Sequence, residues 1–330
     1  IAVALLGLGT VGRAFARYVD ERAVAQGKKI SIRAAADSSG GIILQSSEQL
    51  SELLKWKEAG HKLRARVPQP QVQSIPSFIC ALPSYSIPIL VEALPTRYQD
   101  GEPALGWLCQ ALSQGTSVVT VDKGAAAHGL DLLLDQARKS GARFAYSGTT
   151  GVAAPRDIGG STVREIRGVL NGTTNFILTE MQEHLLSFES ALSRAQALGI
   201  AEPDPSLDID GWDTACKILI LAKSWMSPHV QLADVSRLGI GPQIDELIKE
   251  ARPSGCVVRL VGRARFWQDR LRVSVAPKIL APESPFFSVS GTSKAAVFDT
   301  VEKGEVFVRG LSGLEAISQT ILDDVLFVAN

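Results

Sequence analysis

Short apolar runs alternate with amphipathic stretches along the first half of the chain. Residues 2–6 are apolar without interruption, as a strand covered on both faces should be. Val11, Phe15 and Val19 then recur four residues apart, which predicts a helix. Residues 30–36 predict a second strand that ends at Asp37. The pattern blurs after it. Leu50, Leu53, Leu54 and Trp56 suggest a helix, but Pro68, Pro70, Pro76, Pro83 and Pro88 interrupt the region. Residues 89–93 predict a buried strand, 101–114 a helix, 117–121 a strand and 130–139 a helix. This alternation predicts an α/β fold with a doubly wound parallel sheet over residues 1–150.

The texture changes after Pro155. Val163 and Ile166 mark a strand over 162–170, and a helix is expected over 173–184. Phe188, Ala191, Leu192, Ala195 and Leu198 keep a helical rhythm, with Gly199 placed as its C-cap. Short strand-like runs dominate from Val257 to about Val308, and Ile317, Ile321 and Val325 form the stripe of a last helix. We expect a second, α+β domain over 151–305. The C-terminal helix of 306–330 is expected to pack back on the first domain.

Charge narrows the partners. Lys+Arg and Asp+Glu are 34 each, so the net charge is zero and no broad footprint for nucleic acid or an anionic membrane is expected. No apolar run approaches the roughly 18–20 residues of a membrane span. Cys80, Cys109, Cys216 and Cys256 lie far apart, and His61, His128, His184 and His229 show no ligand spacing, so neither a disulfide framework nor a zinc site is expected. Ile1 opens directly into a strand-like run with no secretory signal, so a cytoplasmic protein, its start codon missing, is expected.

Gly7-Leu8-Gly9-Thr10-Val11-Gly12 lies between a strand and a helix. Glycines there let backbone N–H groups approach a pyrophosphate, and the helix start adds partial positive charge. Alone the motif fits any tight strand–helix turn; Asp37 at the end of the next strand favours a Rossmann-type dinucleotide site. A carboxylate at that position accepts ribose hydroxyls and repels a 2′-phosphate, so NAD is preferred over NADP, a preference that Ser38 and Ser39 soften.

Two further groups carry chemistry. Asn171-Gly172-Thr173-Thr174-Asn175 starts a helix, either as an ordinary N-cap or as a seat for a substrate carboxylate. Glu202, Asp204, Asp208, Asp210 and Asp213 form a dense acidic block. Asp213 and Lys217 share one helix face, and the helix around them is apolar on nearly every side, so an exposed ion pair is the weaker reading. A lysine in a buried helix must be paired or face a cleft, where its pKa can be tuned for proton transfer. Lys123 follows the 117–121 strand, at the end where parallel sheets place ligands.

These segments resemble homoserine dehydrogenases, above all short members without a regulatory ACT domain. The resemblance rests on GLGTVG, the 89–103 segment ending in GEP, SVVTVDK, GVLNGTTNFILTEM and ALGIAEPDPSLDIDGWDTACK, and it covers nearly the whole chain. It implies reversible hydride transfer between L-homoserine and L-aspartate 4-semialdehyde with NAD or NADP, on the route to threonine and methionine, with the second domain (151–305) binding substrate and forming a homodimer. By position it implies that Lys217 exchanges the proton, that Asp213 is its partner, and that Lys123 stands near the nicotinamide. Glu202 and Asp208 would hold the substrate ammonium; Gly172 and Thr173 would touch substrate. Gly7, Gly9, Thr10, Val11, Gly12, Asp37 and Leu94 would contact the dinucleotide. A Na+ or K+ ion is implied at the carbonyls of Ser147, Thr150 and Val152. The chain departs from the family at Asp122 (usually Asn or Ala), at Ser147 (commonly Glu), and in Gly310-Leu311-Ser312-Gly313-Leu314-Glu315. Two other readings use the same residues: a dehydrogenase of another amino-acid alcohol or aldehyde, its cleft reshaped by Leu314 and Glu315, or a non-catalytic dinucleotide sensor. A sensor has no need of Lys123, Glu202, Asp208, Asp213 and Lys217 together.

Overall fold

A computed structural model describes residues 1–25, 30–65, 73–152, 158–227, 229–310 and 312–330. Pro68, Pro70, Pro155 and Leu311, which served above as breaks or departures, lie outside the described residues. The chain divides into two units: Ile1–Thr149 with Gly313–Asn330, and Thr150–Ser312. No helix among the described residues is long and apolar enough to cross a membrane.

The first unit opens with β1 (Ala2–Leu6), α1 (Thr10–Ala25), β2 (Ser31–Asp37) and β3 (Gly40–Ile43). Then come α2 (Ser47–Glu58), α3 (Ile75–Ala81), β4 (Ile89–Glu92), α4 (Ala104–Ser113), β5 (Ser117–Thr120), α5 (Lys123–Ser140) and β6 (Phe144–Ala145). The sheet order is β3-β2-β1-β4-β5-β6, parallel except for β3. The expected doubly wound sheet is therefore present, with one antiparallel edge. That edge arises because Asp37 pairs with Gly40, so the chain doubles back at once. The order reverses between β1 and β4, and such a reversal opens the crevice in which α/β sheets take their ligands. Central strands buried on both faces explain the unbroken apolar runs.

The second unit holds β7 (Val163–Val169), α6 (Gly172–Glu183), α7 (Phe188–Ala197), α8 (Ser206–Ile209) and α9 (Trp212–Trp225). It continues with β8 (Ser236–Arg237), α10 (Ile244–Ala251), β9 (Val257–Trp267), β10 (Arg270–Leu280), β11 (Ala295–Thr300) and β12 (Gly304–Arg309). Its sheet runs β12-β11-β7-β9-β10-β8. All neighbours are antiparallel apart from β10 and β8. Helix α9 lies close on this sheet because Gly262 of β9 has no side chain; a Cβ there would stand 3.1 Å from both Ile218 and Thr214. That approach buries Asp213, Lys217 and the residues between them. The last helix, α11 (Leu314–Ala329), returns to the first unit, where Ile321, Leu322, Val325 and Val328 share a core with Val3, Leu5 and Phe15.

Candidate active site

In the first unit the turn after β1 needs its glycines. Gly7 holds φ +110°, and a Cβ on it would strike the Ala93 carbonyl; a Cβ on Gly12 would strike the carbonyl oxygen of Gly7. The Gly7 N–H donates to Ala36 O at 2.9 Å, which locks the turn to β2. Gly9 faces open space, Thr10 is exposed as the first residue of α1, and Val11 packs half-buried against the core. The result is a bare backbone cradle at a helix N-terminus, which fits a pyrophosphate.

Asp37 is buried, and both its oxygens are engaged. Oδ1 accepts from the Ser39 N–H and hydroxyl at 2.8 and 2.6 Å; Oδ2 accepts from Lys57 Nζ at 2.5 Å and Leu63 N at 2.8 Å. Burial alone would raise its pKa, but the bonds from Lys57, Ser39 and Leu63 outweigh burial and hold the carboxyl below its usual range.

A second carboxyl lies at the C-terminal end of β4. Glu92 is fully buried; its Oε1 accepts Leu94 N at 2.5 Å and its Oε2 accepts the Thr120 hydroxyl. The Thr120 oxygen in turn accepts Asp122 N at 3.0 Å. Glu92 thereby ties the end of β4 to the end of β5, and with them the loops that carry Leu94 and Lys123. Burial and the charge of Asp122 push Glu92 up to about 8. Burial also raises Asp122, whose Oδ1 caps α5 through Gly124 N at 2.8 Å. Lys123 begins α5 half-buried, with Nζ 5.9 Å from the centre of the Tyr98 ring.

The second unit holds a compact polar cluster. Lys217 Nζ donates to Asp213 Oδ2 at 2.7 Å and to Leu170 O at 2.9 Å, and the residue is only 8% exposed. Asn171 Nδ2 donates to Asp208 Oδ1 at 2.6 Å and to Asp213 Oδ2 at 2.8 Å, while its Oδ1 accepts Thr174 N at 2.8 Å. Burial and the neighbouring Asp213 charge raise Asp208 above the ordinary carboxyl range, against the pull of Asn171, Thr173 and Lys217. The Thr173 hydroxyl also reaches Ile200 O at 3.2 Å. Gly172 sits close under Thr292, where a Cβ would lie 3.0 Å from its carbonyl oxygen. The turn into α9 is braced by Arg237, which stacks 3.8 Å from the centre of Trp212 and donates to Asp210 O.

Asp208, Asp213, Lys217 and Thr173 are thus brought together. Glu202 is not: its side chain is exposed and has no hydrogen bond to this cluster among the described residues. Ser147 donates its N–H to buried Asp324 of α11 at 2.9 Å, and Thr150 donates its hydroxyl to Val152 O at 2.8 Å. Sequence reasoning passed over the reach of Asn171 beyond its cap, and it passed over Glu92. A carboxylate inside the otherwise apolar 89–93 strand was the available sign for Glu92.

A reversed strand order with a glycine cradle at the reversal marks a dinucleotide-binding fold, and the buried lysine of the second unit suits the proton chemistry of a dinucleotide-dependent oxidoreductase. The family model described as homoserine dehydrogenase matches residues 153–326, and the one described as homoserine dehydrogenase, NAD binding domain, matches residues 7–147. The chain is 32% identical over 339 residues to the homoserine dehydrogenase of Methanocaldococcus jannaschii, covering 99% of this chain and 98% of that protein. It is equally 32% identical over 339 residues to the NAD(+)-dependent homoserine dehydrogenase of Pseudomonas canavaninivorans, covering 99% and 95%. Among solved structures, a hyperthermophilic archaeal homoserine dehydrogenase in complex with NADPH superposes with a TM-score of 0.80 at 28% identity, covering 100% of this chain and 97% of that one. A homoserine dehydrogenase from Thiobacillus denitrificans gives 0.81 at 26%, covering 99% and 73%. The chain belongs to the homoserine dehydrogenase family. It is an oxidoreductase that acts on a CH–OH group with NAD(P).

Proposed function

We propose that Lys217 is the proton donor and acceptor in the interconversion of L-homoserine and L-aspartate 4-semialdehyde. The carrying observation is the anchoring of its ammonium: two bonds, to Asp213 and Leu170 O, leave the remaining N–H for the substrate oxygen. The dinucleotide, when bound, supplies or accepts the hydride. As charge builds on the aldehyde oxygen, Lys217 stabilises it and then gives up its proton, so that C–H and O–H bonds both form and homoserine results. In reverse, the neutral amine takes the hydroxyl proton. Asp208 holds the substrate ammonium, Thr173 and the Gly172 helix start take its carboxylate, and Glu202 assists from the solvent side. Lys123 serves the nicotinamide end. The clamp turns an encounter into a positioned reaction.

Gly7, Gly9, Thr10, Val11, Gly12 and Leu94 are the proposed dinucleotide contacts. Asp37 makes NAD(H) the better cofactor, but Lys57 compensates its charge, so NADP(H) also binds; relatives described with each cofactor agree with this. The remaining parts of the proposal rest on the resemblance: a cytoplasmic homodimer assembled through the second unit, and a Na+ or K+ ion at the carbonyls of Ser147, Thr150 and Val152. Light scattering tests the dimer, and activity in choline chloride against NaCl and KCl tests the ion.

The decisive experiment follows NADH and NADPH oxidation side by side with aspartate semialdehyde, for the native chain and for Lys217→Ala. Turnover that collapses in the variant while NADH still binds supports the assignment. Failure to turn over aspartate semialdehyde, with activity on another amino-acid aldehyde, would replace the substrate.

A further inference from the structure

We propose that Asn171 is a positioning residue of this reaction, one that keeps Asp208 and Asp213 as two separate acceptors with different tasks. The inference rests on the roles proposed above for Lys217 and Asp208. Its geometry is independent of them.

Asn171 carries one acceptor and two donors on its amide. The acceptor is fixed by the backbone, because Oδ1 receives Thr174 N at 2.8 Å as the N-cap of α6. That bond decides which way the amide faces. Its two N–H groups must then point at the carboxylates, and they do: Asp208 Oδ1 lies at 2.6 Å and Asp213 Oδ2 at 2.8 Å. One planar group thus caps a helix and bridges two acids from different helices, α8 and α9.

The bridge has a chemical consequence. Asp213 Oδ2 takes both Asn171 and Lys217, so this carboxylate is committed to the lysine. Asp208 is held by hydrogen bonds from Asn171 and Thr173 but is not paired with the lysine, so its remaining lone pairs can meet a cationic partner. The groups that act on Asp208 are Asp213 and Lys217 of α9, Asn171 and Thr173; Asp213 repels its charge while the other three favour it. Without the two N–H donors, the two carboxylates would face each other with less to compensate them. The cluster would then compete with substrate for Lys217, and Asp208 would bind a proton in place of the ammonium. A plain capping role would need none of this, since aspartate caps a helix as well as asparagine does.

That equivalence supplies the test. Asn171→Asp keeps shape and cap, but replaces two donors with a negative charge. We expect kcat/KM for aspartate semialdehyde to fall by roughly tenfold or more at neutral pH, the equivalent of one lost charge-assisted hydrogen bond. The loss should lie in KM more than in kcat, and the acid limb of the kcat/KM profile should move to higher pH. NADH affinity should stay near native, while the melting temperature should fall, because three carboxylates would then share one buried cluster. Asn171→Ser, which caps through its hydroxyl and donates to neither acid, should lose activity and move the acid limb the same way, but by less than Asn171→Asp, which also adds a charge. Native kinetics and pH profile in Asn171→Asp would overturn the proposal, and so would loss of the folded state in both variants, which would make the bridge a tie of the fold and not a device of the reaction. If Lys217→Ala retains turnover while Asn171→Asp shifts the pH profile, the proton-transfer reading fails and the bridge between the acids stands.

Discussion

Lys217 stands one helical turn after Asp213 on α9, and its ammonium donates a 2.7 Å hydrogen bond to Oδ2 of that carboxylate. Both residues are buried. A buried pair of this kind holds its lysine at one place, and breaking it leaves a charge stranded away from water. Lys217→Ala is expected to lower kcat by a factor of ~10²–10⁴, the usual worth of a positioned acid–base group. NADH affinity, which belongs to the glycine cradle of the other unit, should not change. Stopped-flow turnover and NADH fluorescence titration check both halves; a variant that loses NADH binding instead would remove Lys217 from the proton step.

The glycine turn gives a prediction of a different kind. Gly7 combines φ +110° with direct contact to the Ala93 carbonyl, so Gly7→Ala adds both backbone strain and overlap. We expect a loss of at least ~2 kcal/mol of stability and of dinucleotide binding. Denaturant melts and NADH titration measure these; a Gly7→Ala protein with native melting and native NADH affinity would show that the turn is looser than its geometry states.

Local pattern made much of this legible. Residues 2–6 declare a central strand because both faces are buried, and Asp213 and Lys217 declare a shared helix face by spacing alone. β3 was not expected, since Gly40 and Gly41 carry no strand propensity and the element exists by pairing with β2. β9 and β10 are 11 residues each, not short runs, because Arg259, Arg263 and Arg265 interrupt the apolar pattern of a continuous strand. Arg263 is accommodated by Glu165 on neighbouring β7. Asn171 and Asp208 lie 37 residues apart, and only the packing of α8 beside α6 makes them partners. The engagement of Asp37 by Lys57 is likewise tertiary: their 20-residue separation carries no periodic signal.

That last pair predicts cofactor choice. Lys57 and Asp37 nearly cancel at 2.5 Å, so a 2′-phosphate near them meets little net charge. Asp37→Asn keeps an acceptor for Leu63 N but leaves the Lys57 ammonium uncompensated. The NADPH-to-NADH affinity ratio should rise about tenfold, equivalent to ~1.4 kcal/mol. Melting temperature should fall, since a largely buried cation has lost its partner. Dissociation constants for both cofactors, measured on one preparation, decide it; an unchanged ratio would place the adenosine ribose away from Asp37.

Glu92 predicts how stability follows pH. Burial and the Asp122 charge raise its carboxyl from 4.5 to about 8 in the folded chain. A raised acid means that the folded state holds a proton the unfolded chain releases. Its contribution to stability is therefore fully present below about 4.5 and declines as pH rises through the window to about 8. Within that window the decline approaches ~1.4 kcal/mol per pH unit, and above it the loss is complete. Glu92→Gln cannot ionise, yet its carbonyl can accept Leu94 N and its amide can donate to the Thr120 oxygen, so the tie between β4 and β5 is kept. The variant should melt with a flatter pH dependence across the window and should be the more stable protein at its alkaline end. Paired melting curves from acid to alkaline pH test this directly. Parallel curves for the two proteins would mean that Glu92 keeps its charge inside the sheet, and that burial does not govern it.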